Sequence, residues 1–232
     1  MLAKENIMIS AIIAAGGSGV RMNAEVPKQF LQLHDKPIII HTLERFAGCP
    51  EVQKVILVIP EKEIPAADIL LSKWNISGQI ELIAGGETRQ HSVWNGLNSI
   101  PENTDIVIVH DGVRPFVSEK TIHFCIEETR KYGAVITAIP VYDTVKEVEN
   151  HTVSKTLDRS KLWRVQTPQG FKKELLAEAY KKARETNLTA TDDSALVENI
   201  GHTVRVIPGE EKNIKITSPE DLIIAEKLLE GI

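Results

Sequence analysis

Short apolar, β-branched runs along this chain alternate with stretches whose apolar positions recur every three or four residues. ISAIIAA (9–15), KVILVIP (54–60), QIELIA (79–84), DIVIVH (105–110), AVITAIP (134–140) and TVRVIP (203–208) predict strands. Helical spacing predicts helices over 37–46, closed by Gly48, and over 64–74, 92–100 and 172–185. A further helix is expected over 119–132, with Ser118 as N-cap and Gly133 as stop. SPEDL announces the last one: Ser218 falls at the N-cap, Pro219 at N1 and Asp221 at N3, a capping-box arrangement. Apolar strands alternating with helices predict a mostly parallel sheet covered on both faces. Ligands then bind beyond the carboxyl ends of the strands.

One stretch breaks the alternation. Residues 141–160, VYDTVKEVENHTVSKTLDRS, are polar and alternating, with Glu-Asn-His in the middle, and predict two short antiparallel strands. A lone hairpin is poorly stable in water, so this arm is expected to lean on something, such as a second subunit.

Length and composition narrow the class. The 232 residues suit one α/β domain, and 42% apolar with 25% charged residues is ordinary for a globular protein. No apolar stretch reaches the ~18 residues of a membrane span. The start, MLAKENIMIS, lacks the apolar core of a secretory leader, so a cytoplasmic protein is expected. A net charge of −5 argues against nucleic acid and anionic membranes as partners, and any anionic ligand must meet a local cluster of cations. Cys49 and Cys125 lie far apart in no metal-binding spacing. Cys125 recurs with Ile122, Ile126 and Thr129 at helical spacing, as a small core residue does.

Four segments begin where a strand ends. In AAGGSGVRMNAEVPK, a Walker A loop fails because Arg21 and Met22 stand where Lys and Ser/Thr belong. A dinucleotide fingerprint fails at its third glycine, which is Met22. A triphosphate loop remains, with backbone N–H groups around the phosphates and Arg21 and Lys28 as fixed charges. A plain Gly-rich turn with two solvated cations is the alternative. In HDGVRP, Asp111 suits a metal that bridges phosphates and Arg114 suits a phosphate, or the two brace a turn. His110 reads as a packed strand-end residue. In GGETRQHSVWNGL, Gly85 and Gly86 allow a flat ring close to the backbone and Ser92 could donate to a base edge; a tight strand–helix connection is the alternative. TDDSALVE reads first as a helix start capped by Thr191 or Asp192. Lys215, a cation in a β-rich run, calls for an anion nearby.

Taken together, these candidates hold many cations and one acidic metal candidate, and no nucleophile or general base is evident. An attacking phosphate, with second pKa about 6, needs neither, since it is already an anion at neutral pH. Catalysis then reduces to positioning and charge neutralisation.

AGGSGVRM…PKQF, GGETRQHSVWNGL, VHDGVRP, VYDTVK, DRSKLWRVQTPQGF, TDDSALVE and NIKITSPEDL, in this order, resemble the 2-C-methyl-D-erythritol 4-phosphate cytidylyltransferases of isoprenoid biosynthesis. The resemblance runs from Ile9 to about Leu229. It implies a Rossmann-like three-layer sandwich of the nucleotide-diphospho-sugar transferase type, one domain over 1–232 with a dimerisation arm at 141–160. It implies transfer of a cytidylyl group from CTP to the polyol phosphate with release of pyrophosphate, a Mg²⁺ requirement and a homodimer. Arg21, Lys28, Arg159 and Lys215 match its catalytic positions. Ala15, Gly16, Gly17, Ser18, Gly19, Gly85, Gly86 and Ser92 match its CTP pocket. Asp111, the metal candidate, falls with Gly112, Arg114, Thr144, Thr167 and Thr191 at the acceptor site. Gly16 and the Val before Arg114 are shared with the sibling ribitol-5-phosphate cytidylyltransferases, which leaves that acceptor as the alternative; DRSKLWRVQTPQ and TDDSALVE favour methylerythritol phosphate.

Overall fold

The computed structural model describes residues 7–16 and 27–231. Among these residues the strands are β1 (Ile9–Ala14), β2 (Gln32–Leu33), β3 (Lys36–Pro37), β4 (Lys54–Ile59), β5 (Ile80–Ala84), β6 (Ile106–Asp111), β7 (Ala134–Pro140), β8 (Lys146–Glu149), β9 (Thr152–Thr156), β10 (Trp163–Lys172) and β11 (Arg205–Pro208). The helices are α1 (Ile38–Ala47), α2 (Ile64–Lys73), α3 (Arg89–Ser99), α4 (Glu119–Tyr132), α5 (Lys173–Glu185), α6 (Asp193–Asn199) and α7 (Pro219–Glu230).

Seven strands form one sheet in the order β11-β7-β10-β6-β1-β4-β5. Every pairing in it is parallel except those of β10, which runs antiparallel between β6 and β7. The period-two pattern of the strands divides their side chains between two cores. Ile9, Ala11 and Ile13 face α1, α2 and α4 through Leu43, Leu71 and Ile122. Ile12, Ile56 and Val107 face α3, α5 and α6 through Val93, Leu176 and Leu196. Each such fully buried aliphatic side chain contributes roughly 1.5–3 kcal/mol. The architecture is the three-layer α/β sandwich, with helices on both faces of the sheet.

The helix signals hold at their caps. Ser118 accepts from the Thr121 N–H, Gly133 stops α4 at φ +82°, and the Ser218–Asp221 capping box is complete. Helix α3 differs: it begins at Arg89, three residues before the expected start. The Thr88 hydroxyl accepts from the His91 N–H and adds a turn. Asp192, not Thr191, caps α6, its carboxylate accepting from the Ala195 N–H at 3.1 Å.

Strand β10 has no counterpart among the expected strands. A proline in a central strand removes a ladder donor. Here a register shift between Val165 and Gln169 absorbs Pro168, so the chain leaves the ladder for the residues around it and rejoins it on both sides. That irregular stretch sets Thr167 against the end of β6, at Asp111, and Gln166 against the segment after β11, at Glu210 and Asn213.

Strands β8 and β9 form a separate two-stranded hairpin, and all their residues are exposed. Asn150 and His151 make its turn at φ +48° and +62°, the left-handed pair that matches the twist of a tight hairpin. Tyr142, Val148, Val153, Trp163 and Val165 are exposed on the hairpin and its base.

Candidate active site

The carboxyl ends of β1, β4, β5 and β6 meet at one edge of the sheet, stitched by backbone hydrogen bonds. Ala15 N–H donates to Val58 O at 2.8 Å, Gly85 N–H to Ile59 O at 2.7 Å and Gly112 N–H to Ala14 O at 2.9 Å. Gly112 sits so close to β1 that a Cβ there would lie 2.8 Å from Ala15 Cβ. Ser92, buried on α3, wedges its hydroxyl between two glycine loops: a Cβ would come within 3.1 Å of it at Gly16 and 2.9 Å at Gly85. That hydroxyl accepts from Gly86 N–H at 3.1 Å and donates to Thr88 O at 2.9 Å. One acceptor lone pair is left. Ser92 is therefore equipped to accept from a base, not to donate as its sequence context suggests.

Two cavities open beyond this edge. The first, of about 320 Å³, is walled by Ala15, Gly16, Lys28, Gln29 and Ser92. The second, of about 370 Å³, is walled by Arg114, Gln166, Thr167, Gln169 and Thr191. Arg89, Asp111 and Lys215 belong to both, and so form the partition between them.

The partition is an ion-pair network around one carboxylate. Asp111 Oδ1 accepts from Arg89 Nε at 3.1 Å; Asp111 Oδ2 lies 2.8 Å from Lys215 Nζ and 3.6 Å from Arg114 Nε. Behind it, Arg89 Nη1 reaches Asp193 at 2.8 Å, and the Tyr180 hydroxyl donates to the other Asp193 oxygen. Thr167 Oγ1 accepts from the Asp111 N–H at 3.0 Å, and Arg114 Nη1 donates to Asn213 O at 2.8 Å. Burial alone would raise the pKa of Asp111, but Arg89, Lys215 and Arg114 hold it well below the usual carboxylate range. Burial would discharge Arg89; Asp193 and Asp111 outweigh it and keep the guanidinium firmly charged. Three cations against two carboxylates leave this wall net positive.

Other candidates fall out of the chemistry. His110 is buried against Phe46, its Nε2 bonded to Arg114 O at 3.1 Å, and burial pushes its pKa down to about 3. It is a packed strand-end residue, as its context suggests. Burial pushes the Cys125 thiol up to about 12, far from a thiolate nucleophile. Among the described residues no group of three His, Cys, Asp or Glu side chains converges as a metal cage. Asp111 does not fit as a direct metal ligand either. Both its oxygens already face N–H donors, and a divalent ion there would confront three cations across one carboxylate.

The structure gathers Ala15, Gly16, Lys28, Gly85, Gly86, Ser92, Asp111, Gly112, Arg114, Thr167, Thr191 and Lys215 at this edge. It does not bring in Thr144 or Arg159. Thr144 is exposed at the base of the arm, and Arg159 donates to Tyr142 O there, outside both cavities. Gly17, Ser18, Gly19 and Arg21 lie outside the described residues. Sequence reasoning passed over Arg89, Gln166, Gln169, Asp193 and Tyr180. Arg89 did carry a signal: it opens α3, where the helix dipole disfavours a cation, and no acid stands in that first turn. Its compensating carboxylates come from β6 and α6, out of local view.

The chain is similar to known proteins over nearly its whole length. A chain from Carboxydothermus hydrogenoformans named 2-C-methyl-D-erythritol 4-phosphate cytidylyltransferase is 48% identical over 221 residues, 95% of this chain and 94% of that one. Its namesake from Syntrophus aciditrophicus is 44% identical over 223 residues, covering 95% of each. The crystal structure of 4-diphosphocytidyl-2C-methyl-D-erythritol synthase from Anaerococcus prevotii superposes with a TM-score of 0.86 at 36% identity, covering 97% of both chains. Residues 9–231 match the family signature, and the chain belongs to the 2-C-methyl-D-erythritol 4-phosphate cytidylyltransferase family.

Proposed function

We propose that this enzyme transfers a cytidylyl group from CTP to 2-C-methyl-D-erythritol 4-phosphate and releases pyrophosphate. The observation that carries the reading is the pair of cavities divided by one cationic wall. CTP takes the cavity of Gly16, Lys28 and Ser92; the acceptor takes that of Arg114, Thr167 and Thr191. An oxygen of the acceptor phosphate attacks the α-phosphorus, the bond to the β-phosphate oxygen breaks, and pyrophosphate leaves with the electron pair. The attacking oxygen is already anionic and needs no base, and His110 at the end of β6 is buried and neutral. Lys28 and Lys215 neutralise charge as it builds on the transferring centre, with Arg21 as a further candidate. Asp111 is committed to cations, so a divalent ion such as Mg²⁺ would be brought as a counterion of CTP and would offset charge on its phosphates. The names of the relatives favour methylerythritol phosphate over ribitol 5-phosphate as acceptor.

The free lone pair of Ser92 suits the exocyclic amino group of cytosine. Uracil would set a carbonyl against it, leaving acceptor facing acceptor at a cost of about 1–3 kcal/mol. The exposed arm suits a homodimer, in which Arg159 reaches the acceptor of the other subunit, and the setting proposed is the cytoplasm.

Pyrophosphate release tests the reading, with CTP or UTP, Mg²⁺ and each polyol phosphate. Turnover is expected with CTP and methylerythritol phosphate, and UTP should fall at least about tenfold in kcat/KM. Release with ribitol 5-phosphate alone would reassign the acceptor; no release with either would overturn the reading.

A further inference from the structure

We propose that Arg89 is a further catalytic residue, a guanidinium that touches both reacting phosphates where the two cavities meet. This rests on the reading of the site just given. Arginine carries five N–H donors in a rigid fork. Arg89 spends its Nε on Asp111 and one Nη1 hydrogen on Asp193, and makes no other hydrogen bond among the described residues. The remaining donors belong to a side chain that is 29% exposed and walls both cavities.

The two carboxylates aim the fork. Asp193 is 1% exposed and is itself fixed by the buried Tyr180 hydroxyl. Asp111 is fixed through its backbone by Thr167. A guanidinium held from two sides gives up little rotamer freedom when a ligand arrives, so its spare donors act as preorganised electrostatic stabilisers. Two anionic substrates must approach each other at this wall, and each repels the other. A cation between them offsets that repulsion most when the new P–O bond is forming. Arg89 moves no proton; the electron pair passes from the acceptor oxygen to the α-phosphorus and out with pyrophosphate.

The test compares wild type with Arg89→Lys and with the double variant Arg89→Gln/Asp193→Asn. The double variant removes both partners of a buried ion pair, so no buried charge is left alone. Urea midpoints, calorimetric titrations with CTP and with inorganic phosphate, and steady-state turnover are measured on each. The folded double variant should keep near wild-type CTP affinity while kcat falls on the order of 10²–10³-fold. Arg89→Lys, which retains the charge and loses the fork, should fall in between. A double variant with wild-type kcat would overturn the proposal and leave Arg89 a brace. If that variant does not fold, Arg89→Lys decides, since unchanged kcat there overturns it and a lowered kcat at constant CTP affinity supports it. Failure of wild type to release pyrophosphate would sink the function rather than this residue. Phosphate binding then decides for Arg89: weakening of about tenfold or more on its loss supports the assignment, and unchanged binding overturns it.

Discussion

The wall between the cavities and the arm hold the same kinds of side chain under opposite conditions. In the wall, Asp111 and Asp193 are buried and every charge has a partner: Arg114 stands three residues after Asp111, while Arg89 comes from α3 and Lys215 from the segment before α7. In the arm, Lys146, Glu147, Lys155 and Arg159 are exposed beside Val148 and Val153, and the hydrogen bonds stay local. Burial makes a charge expensive unless it is paired, so the wall is fully specified within one chain. The arm has neither the burial nor the partners to specify it. Two exposed valines on the hairpin, with Tyr142, Trp163 and Val165 exposed at its base, are what an element completed by a second copy would present.

The sharpest way to break that contrast is to ask whether the arm works in another subunit. Arg159→Glu should reduce turnover to background and leave CTP binding near wild type, because Arg159 lies outside the nucleotide cavity. Mixed with Lys28→Ala, it should form dimers in which one site combines intact Lys28 from one chain with intact Arg159 from the other. Such sites should regain up to roughly half the wild-type activity per dimer. Background activity in demonstrated mixed dimers would place the action of Arg159 in its own chain or nowhere.

On the wall side, Lys28→Ala alone should lower kcat on the order of 10²–10³-fold with a smaller change in CTP affinity, as for one lost electrostatic stabiliser. Stopped-turnover assays over a range of CTP concentrations separate the two effects; a kcat near wild type would remove Lys28 from the chemistry. Asp111→Ala should instead act first on the fold, since it leaves Arg89, Arg114 and Lys215 crowded without their shared anion. A loss of about 3 kcal/mol is expected in urea denaturation, the scale of a broken buried pair. A variant as stable as wild type would mean the three cations simply turn to solvent, and the wall is less rigid than its geometry implies.

The same contrast explains what could be read from the chain alone. The strands of β1, β4 and β6 are continuous apolar runs because both faces are covered, and the caps of α4 and α7 are local signals. Strand β10 escaped because its pattern is interrupted by Thr-Pro-Gln at the register shift, where side-chain direction no longer alternates. Gly16 and Lys28 sit in one contiguous motif, so their place at the first cavity could be read from it. The partners of Arg89 could not, because pairing across 22 and 104 positions depends on the order of strands in the sheet. The lone pair that Ser92 keeps was hidden for a similar reason: its hydroxyl is engaged by Thr88 O and Gly86 N–H, which only the folded turn brings to it.

Acid should act on the buried region before it reaches the charges of the wall. His110 is neutral in the fold, with a pKa pushed from 6.5 down to about 3 by burial. The unfolded chain takes up a proton there as pH falls below 6.5, and the folded one does not until about 3. The stability tied to neutral His110 is therefore complete above 6.5 and drains away as pH falls toward 3. Each pH unit inside that window costs about 1.4 kcal/mol, so about 2 kcal/mol should go between roughly pH 7 and pH 5. Asp111 has the same sign but a lower window: its stabilisation fails only below its ordinary value of 3.8, so it adds nothing to that interval. His110→Asn keeps an amide donor for Arg114 O and has no proton to gain. Urea midpoints of wild type and His110→Asn, measured from pH 7 to pH 5, should converge as the acid cost grows in wild type alone. Parallel pH profiles for the two proteins would mean that His110 is protonated inside the fold, and that the sheet edge beneath the wall admits more water than its packing indicates.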